Sequence, residues 1–69
     1  MYKYEVIIYW STDDDAYIAE APELPGCISD GKSYQEAIIN LEDVVSEWIE
    51  AAQSIGREIP QPKGKLMFA

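Results

Sequence analysis

Residues Pro22 to Glu36 constrain this chain more than any other stretch, because no regular element can run through them. They contain Pro22, Pro25, Gly26 and Gly31, which is half of the prolines and half of the glycines in the sequence. Proline lacks a backbone donor and glycine permits turns closed to other residues, so a strand entering here must stop. The segment then ends on a helix-start signal, Ser33 with Glu36 three residues later. In such a capping box the serine hydroxyl accepts a first-turn N–H, and the glutamate can reach back to the serine's own N–H. The chain before this joint reads as strands, and the chain after it reads as one long helix.

At 69 residues the sequence is expected to form a single domain spanning 1–69. A chain of this size buries only about 60% of its unfolded surface, so its core is small. One cysteine allows no intrachain disulfide, and the absence of histidine removes the common zinc constellations. Self-association into a dimer or tetramer is the expected source of added stability. The net charge of −8 repels phosphate backbones and argues against direct nucleic-acid binding. The same charge would draw in a basic protein. No leader peptide and no membrane-length apolar run is visible, so the expected location is cytoplasmic.

Tyr2 to Trp10 is rich in aromatic and β-branched residues, as strands are. Alternation predicts a core face of Tyr2, Tyr4, Val6, Ile8 and Trp10. Lys3, Glu5, Ile7 and Tyr9 fall on the other side, where the apolar end of the set invites a covering subunit or partner. Ser11 to Asp15 is a turn. Its three aspartates lack the alternation, central glycine and distant glutamate of a calcium loop, so a hairpin loop is the reading. Ala16 to Ala21 forms a second strand ended by Pro22. Leu24, between two prolines, is expected to plug the core from the loop, and Cys27 to Asp30 to add a short third strand.

The helix is predicted from Tyr34 to Ser54, with Gly56 as its stop. Ala37, Ile38, Leu41, Val44, Val45, Trp48, Ile49, Ala52 and Ile55 recur at spacings of three and four and form its buried stripe. On the other side stand Glu36, Glu42, Asp43, Glu47 and Glu50, with no Lys or Arg between Lys32 and Arg57. Asp43, Glu47 and Glu50 repel one another at i, i+4, i+7, at a few tenths of a kcal/mol per pair. A plain solvated face would account for them, and so would a docking surface for a basic partner. Beyond Gly56, Arg57 to Pro62 is a stiff, extended connector leading to Leu66–Phe68, a candidate further strand. The candidate partner-binding residues are therefore Glu36, Asp43, Glu47 and Glu50 on the helix, and Ile7 and Tyr9 on the first strand.

Little in the chain points to catalysis. Without histidine the usual general base is missing, and so are the Ser–His and Cys–His pairs. Cys27 has only Lys32 nearby in sequence to activate it and reads as a small structural residue. Glu5, Glu20 and the Asp13–Asp15 turn are the carboxylates from which a metal-dependent nuclease or hydrolase could be built, but exposed strand carboxylates are the plainer reading. No phosphate-binding glycine loop is present. No cofactor or metal is expected, and the chain is not expected to be an enzyme.

The ordered set of motifs resembles the HicB-like antitoxins of type II toxin–antitoxin systems. It comprises Tyr4 to Ile8, then the acidic turn and Ala16 to Ala19, and then Ala21, Pro22, Glu23, Leu24, Pro25, Gly26 and Cys27, the most specific piece. Gly31, Ser33, Glu36, Trp48, Gly56 and Ile59 to Pro62 complete it. The resemblance implies an α+β fold of order β-β-β-α-β, an antiparallel sheet packed by one long helix in a partial ribonuclease-H-like arrangement without a working nuclease site. It also implies a partner, a small basic HicA-type toxin that cleaves mRNA with a catalytic histidine and is neutralised by complex formation. With no second helical pattern after Gly56, the chain resembles the short form that lacks the C-terminal DNA-binding segment. A stand-alone homo-oligomer without a toxin is the alternative reading.

Overall fold

Three strands and one helix follow in the order β1 (Ile7–Ser11), β2 (Ala16–Glu20), β3 (Ile28–Gly31) and α1 (Tyr34–Ser54) in a computed structural model that describes residues 3–63. The strands form one antiparallel sheet in the order β1-β2-β3. The fold is α+β, as expected. The predicted strand at Leu66–Phe68 lies outside the described residues, and so does Tyr2 of the predicted core face.

The β1–β2 connection is a tight loop locked by Ser11. Its Oγ donates to Asp14 Oδ2 at 2.9 Å and accepts from the Asp14 backbone N–H at 3.2 Å. These local bonds give the acidic turn a structural role of its own. The β1 ladder is shorter than the alternation of Tyr2–Trp10 suggests, starting only at Ile7, which pairs with Glu20. Beyond Glu20 the second strand has nothing left to offer, since the Ala21 N–H turns to the Cys27 carbonyl at 3.0 Å.

Between β2 and β3 the proline-rich loop folds on itself. Leu24 N–H donates to the Ala21 carbonyl and Cys27 N–H to the Leu24 carbonyl, both at 3.0 Å. This curl drives Leu24 and Cys27 into the core, where they are almost fully buried. They meet Ala19 from the sheet, Ala21 just past its end, and Ala37, Leu41, Val45 and Ile49 from the helix. Tyr4, Ile8, Tyr17, Trp48 and Ile59 pack around this centre.

The helix begins and ends with defined caps. Ser33 Oγ accepts the Glu36 N–H at 3.1 Å, the first half of the predicted capping box. The second half differs, because Glu36 Oε1 accepts from Lys32 N–H at 3.3 Å rather than from Ser33. At the other end Gly56 takes φ +70°, Gly56 N–H donates to the Gln53 carbonyl and Arg57 N–H to the Ala52 carbonyl. This paired closure is a Schellman motif. It turns Ile55 outward, so that residue is 76% exposed and leaves the predicted buried stripe.

One carboxylate fastens the two segments that flank the folded elements. Glu23 Oε1 accepts the Glu5 N–H at 3.1 Å, and Glu23 Oε2 accepts the Lys63 N–H at 2.9 Å. Nearby, the Tyr4 hydroxyl donates to the Pro60 carbonyl. Removing the carboxylate with Glu23→Ala strips two charge-assisted bonds at once. The expected loss is about 1–3 kcal/mol, read as a lower urea midpoint, with Glu23→Gln recovering part of it.

Candidate partner-binding surface

The register sorts the strand residues onto two faces. Ile8 with Ala19 and Ser29, and Trp10 with Tyr17 and Gly31, lie on the side packed by the helix. Ile7 with Glu20 and Ile28, and Tyr9 with Ile18 and Asp30, lie on the opposite side. Trp10 has the predicted facing, yet it sits at the end of the sheet and stays 49% exposed. Its ring meets Tyr17 edge-on at 5.1 Å, and Tyr17 in turn lies 4.5 Å from Tyr34 at the start of the helix.

The six candidate contact residues are not brought together. Asp43, Glu47 and Glu50 are exposed along the solvent side of the helix, and Glu36 stands at its first turn with one oxygen engaged in the cap. Ile7 and Tyr9 are exposed on the outer face of the sheet, with the sheet itself between them and the helix. The molecule thus carries an acidic ridge on one side and an apolar patch on the other. Two members of that patch were absent from the sequence-based set. Ile28 is 50% exposed, and Glu20 is placed between Ile7 and Ile28 by the register. Only knowledge of the strand pairing could have supplied them.

The motif residues of the joint have structural surroundings. Trp48 Nε1–H donates to the Pro25 carbonyl at 3.0 Å, and the Arg57 guanidinium stacks 5.0 Å from the Trp48 ring centre. Trp48 therefore ties the proline loop to the helix and the helix to the connector after it. On β3, Asn40 Nδ2–H reaches the Asp30 carbonyl at 2.8 Å. Gly31 is buried where the strand meets the helix.

The groups considered for chemistry are dispersed. The register sets Glu20 opposite Ile7, while Glu5 lies before the ladder with its N–H bound to Glu23. Among the described residues no three acidic or thiol ligands gather as a metal site would require. Cys27 is buried, and desolvation raises its thiol above the ordinary value of 9.0. A raised thiol pKa favours the folded state while the group is protonated, and that contribution fades as pH climbs beyond the unfolded value. Labelling of the native protein with a thiol reagent at pH 7.5 should be slow, becoming fast in 6 M guanidinium, in about the ratio of folded to unfolded chain. No helix among the described residues is long and apolar enough to cross a membrane.

Comparisons with known proteins bear on this arrangement. A UPF0150 protein of Thermoplasma acidophilum is 37% identical over 59 residues, covering 86% of this chain and 84% of the relative. A second UPF0150 protein, from a Synechocystis strain, is 29% identical over 63 residues, covering 91% and 85% of the two chains. A protein of Thermus thermophilus known from its crystal structure superposes with a TM-score of 0.74 at 26% identity, over 93% of this chain and 80% of that one. The family model described as the HicB-like antitoxin of bacterial toxin–antitoxin systems matches residues 4–66. With that match extending from the first strand through the proline loop, the helix and the connector, the chain belongs to the HicB-like antitoxin family.

Proposed function

We propose that this chain is the inhibitory member of a toxin–antitoxin pair and silences a small basic HicA-type ribonuclease by binding it. Family membership supplies the class of activity. The observation that carries the partner's chemistry is the helix, which exposes Asp43, Glu47 and Glu50 beside Glu36 with no cation between Lys32 and Arg57. Such a ridge raises the local concentration of a basic protein and speeds its encounter. Inhibition of this kind needs no reaction by the antitoxin, only occupation of the toxin's working surface.

The proposal predicts a HicA-type protein encoded beside this chain, and the test is co-expression with it. The chain should relieve growth arrest by the active toxin and co-purify with a toxin whose catalytic histidine is replaced. Association should slow as salt rises, since exposed charges are screened within about 8–10 Å at 0.1–0.15 M salt. Failure to relieve arrest together with failure to co-purify would remove the proposal.

A further inference from the structure

We infer that the outer face of the sheet, centred on Glu20, is where the basic partner docks, while the acidic helix only steers it. This rests on the antitoxin reading and deepens it. The face has the two components of a binding core. Ile7, Tyr9 and Ile28 are exposed at 37%, 44% and 50%. Ile18 of the central strand lies between them in the register but is only 6% exposed, so the exposed apolar side chains stand on the two outer strands around a packed centre. Two carboxylates are set into it, Glu20 between Ile7 and Ile28, and Asp30 beside Ile18. They are diagonal neighbours, about 7–8 Å apart at their Cα atoms, a span that two cationic side chains of one partner can match.

The face continues into an open cleft of about 240 Å³ beneath the proline loop, bordered by Glu20, Pro22, Pro25 and Ile28. Apolar surface with an adjoining cleft is what an interface core needs, and a cleft gives one anchoring side chain a place to enter. The helix ridge lacks this composition, since among its exposed carboxylates Ile39 is the one large apolar side chain. Charges in such a setting act at long range and contribute little once contact is made.

Charge also decides between a basic partner and a second copy of this chain. The paired positions of the outer face are Ile7, Tyr9, Ser11, Ala16, Ile18, Glu20, Ile28 and Asp30, and none is cationic. A two-fold pairing of this face with itself would press Glu20 and Asp30 against their own copies as the patch lost its water. A basic partner meets the same carboxylates with opposite charge, and desolvation by the surrounding isoleucines strengthens that pairing.

The two roles separate kinetically, because steering acts on association and desolvated contacts act on dissociation. The probe is the HicA-type protein that the antitoxin reading predicts beside this chain, with its histidine replaced, and binding is followed by surface plasmon resonance. Ile28→Lys lies on an exposed edge strand, where lysine is well tolerated, and should weaken the complex about 100-fold or more. Glu20→Gln keeps the shape and should speed dissociation about tenfold or more. The triple variant D43N/E47Q/E50Q should slow association several-fold and flatten its salt dependence, with dissociation unchanged. Circular dichroism melts confirm that each variant is folded.

If the wild-type chain does not bind the probe, the antitoxin reading itself falls. If it binds and both sheet variants dissociate at the wild-type rate, this inference is overturned and the antitoxin reading stands. A chain whose dimer is broken by Ile28→Lys while toxin binding is untouched also overturns it, by assigning the face to a second copy.

Discussion

Gly31→Ala is expected to destabilise the fold by about 3 kcal/mol or more, because the added methyl meets backbone rather than a movable side chain. A Cβ at this position would lie 2.4 Å from Ala37 N and under 3 Å from Glu36 C and Ala37 Cα. To make room, the strand must retreat from the first turn of the helix. That movement also disturbs Lys32, whose N–H holds Glu36, and Ser33, which caps the helix. For a chain of this length each kcal/mol lowers Tm by about 4–8 °C, so a drop of about 12–24 °C is expected in a thermal melt. Gly26 provides the control. Its φ of +79° makes alanine strained, but no atom lies within 4 Å of the new methyl, so only the conformational cost of about 1–2 kcal/mol applies. Equal losses at the two sites would refute the steric account of Gly31.

Leu24→Ala should be nearly as damaging, at about 3–4 kcal/mol. Among the described residues Leu24 and Leu41 are the largest side chains that are fully buried, and Leu24 arrives from a loop rather than from a strand or the helix. The turn holding it is pinned by backbone bonds at both ends, Ala21 to Cys27 and Leu24 to Ala21, so it cannot slump inward to fill the space. A domain of this size has a total stability of roughly 3–10 kcal/mol, so the variant should sit close to its unfolding midpoint in water. Urea titration reads the loss as a lower midpoint at constant slope. Leu24→Met keeps the volume and should cost less than about 1.5 kcal/mol. A loss below about 1 kcal/mol for the alanine variant would show that the loop does collapse.

The parts of this fold written in local sequence were legible, and those written in pairing were not. The helix bounds, Tyr34 and Ser54, follow from a serine cap, a periodic stripe and a glycine stop, all within reach of neighbouring residues. Leu24 is readable as a plug because an isolated leucine between prolines has few other uses. The length of β1 was not readable, since Tyr4 and Val6 alternate as well as Ile8 does, and only the early end of β2 at Glu20 leaves them without a ladder. Ile55 fits the helical period yet falls on the cap, where the chain has already turned away. Glu23 belongs to the family-specific motif, but its bonding role was not readable, because it is one acid in a loop whose two partners lie 18 and 40 residues away. The candidate surface divided along the same line. The acidic ridge shows in the spacing of Asp43, Glu47 and Glu50, whereas placing Ile28 and Glu20 beside Ile7 requires the register of three strands.

The Glu23 carboxylate also has a kinetic meaning. It joins residues 5 and 63, which stand 58 positions apart, and the Tyr4 to Pro60 contact runs beside it. Neither segment belongs to a strand ladder, so their amides owe protection to a shared anchor rather than to regular structure. They should therefore exchange with solvent as one unit, at a common rate, ahead of the helix and β2. Each such opening would bare the apolar groove formed by Tyr4, Val6, Ile38, Leu41 and Val45. One side chain in a turn thus sets how often the core is seen by water.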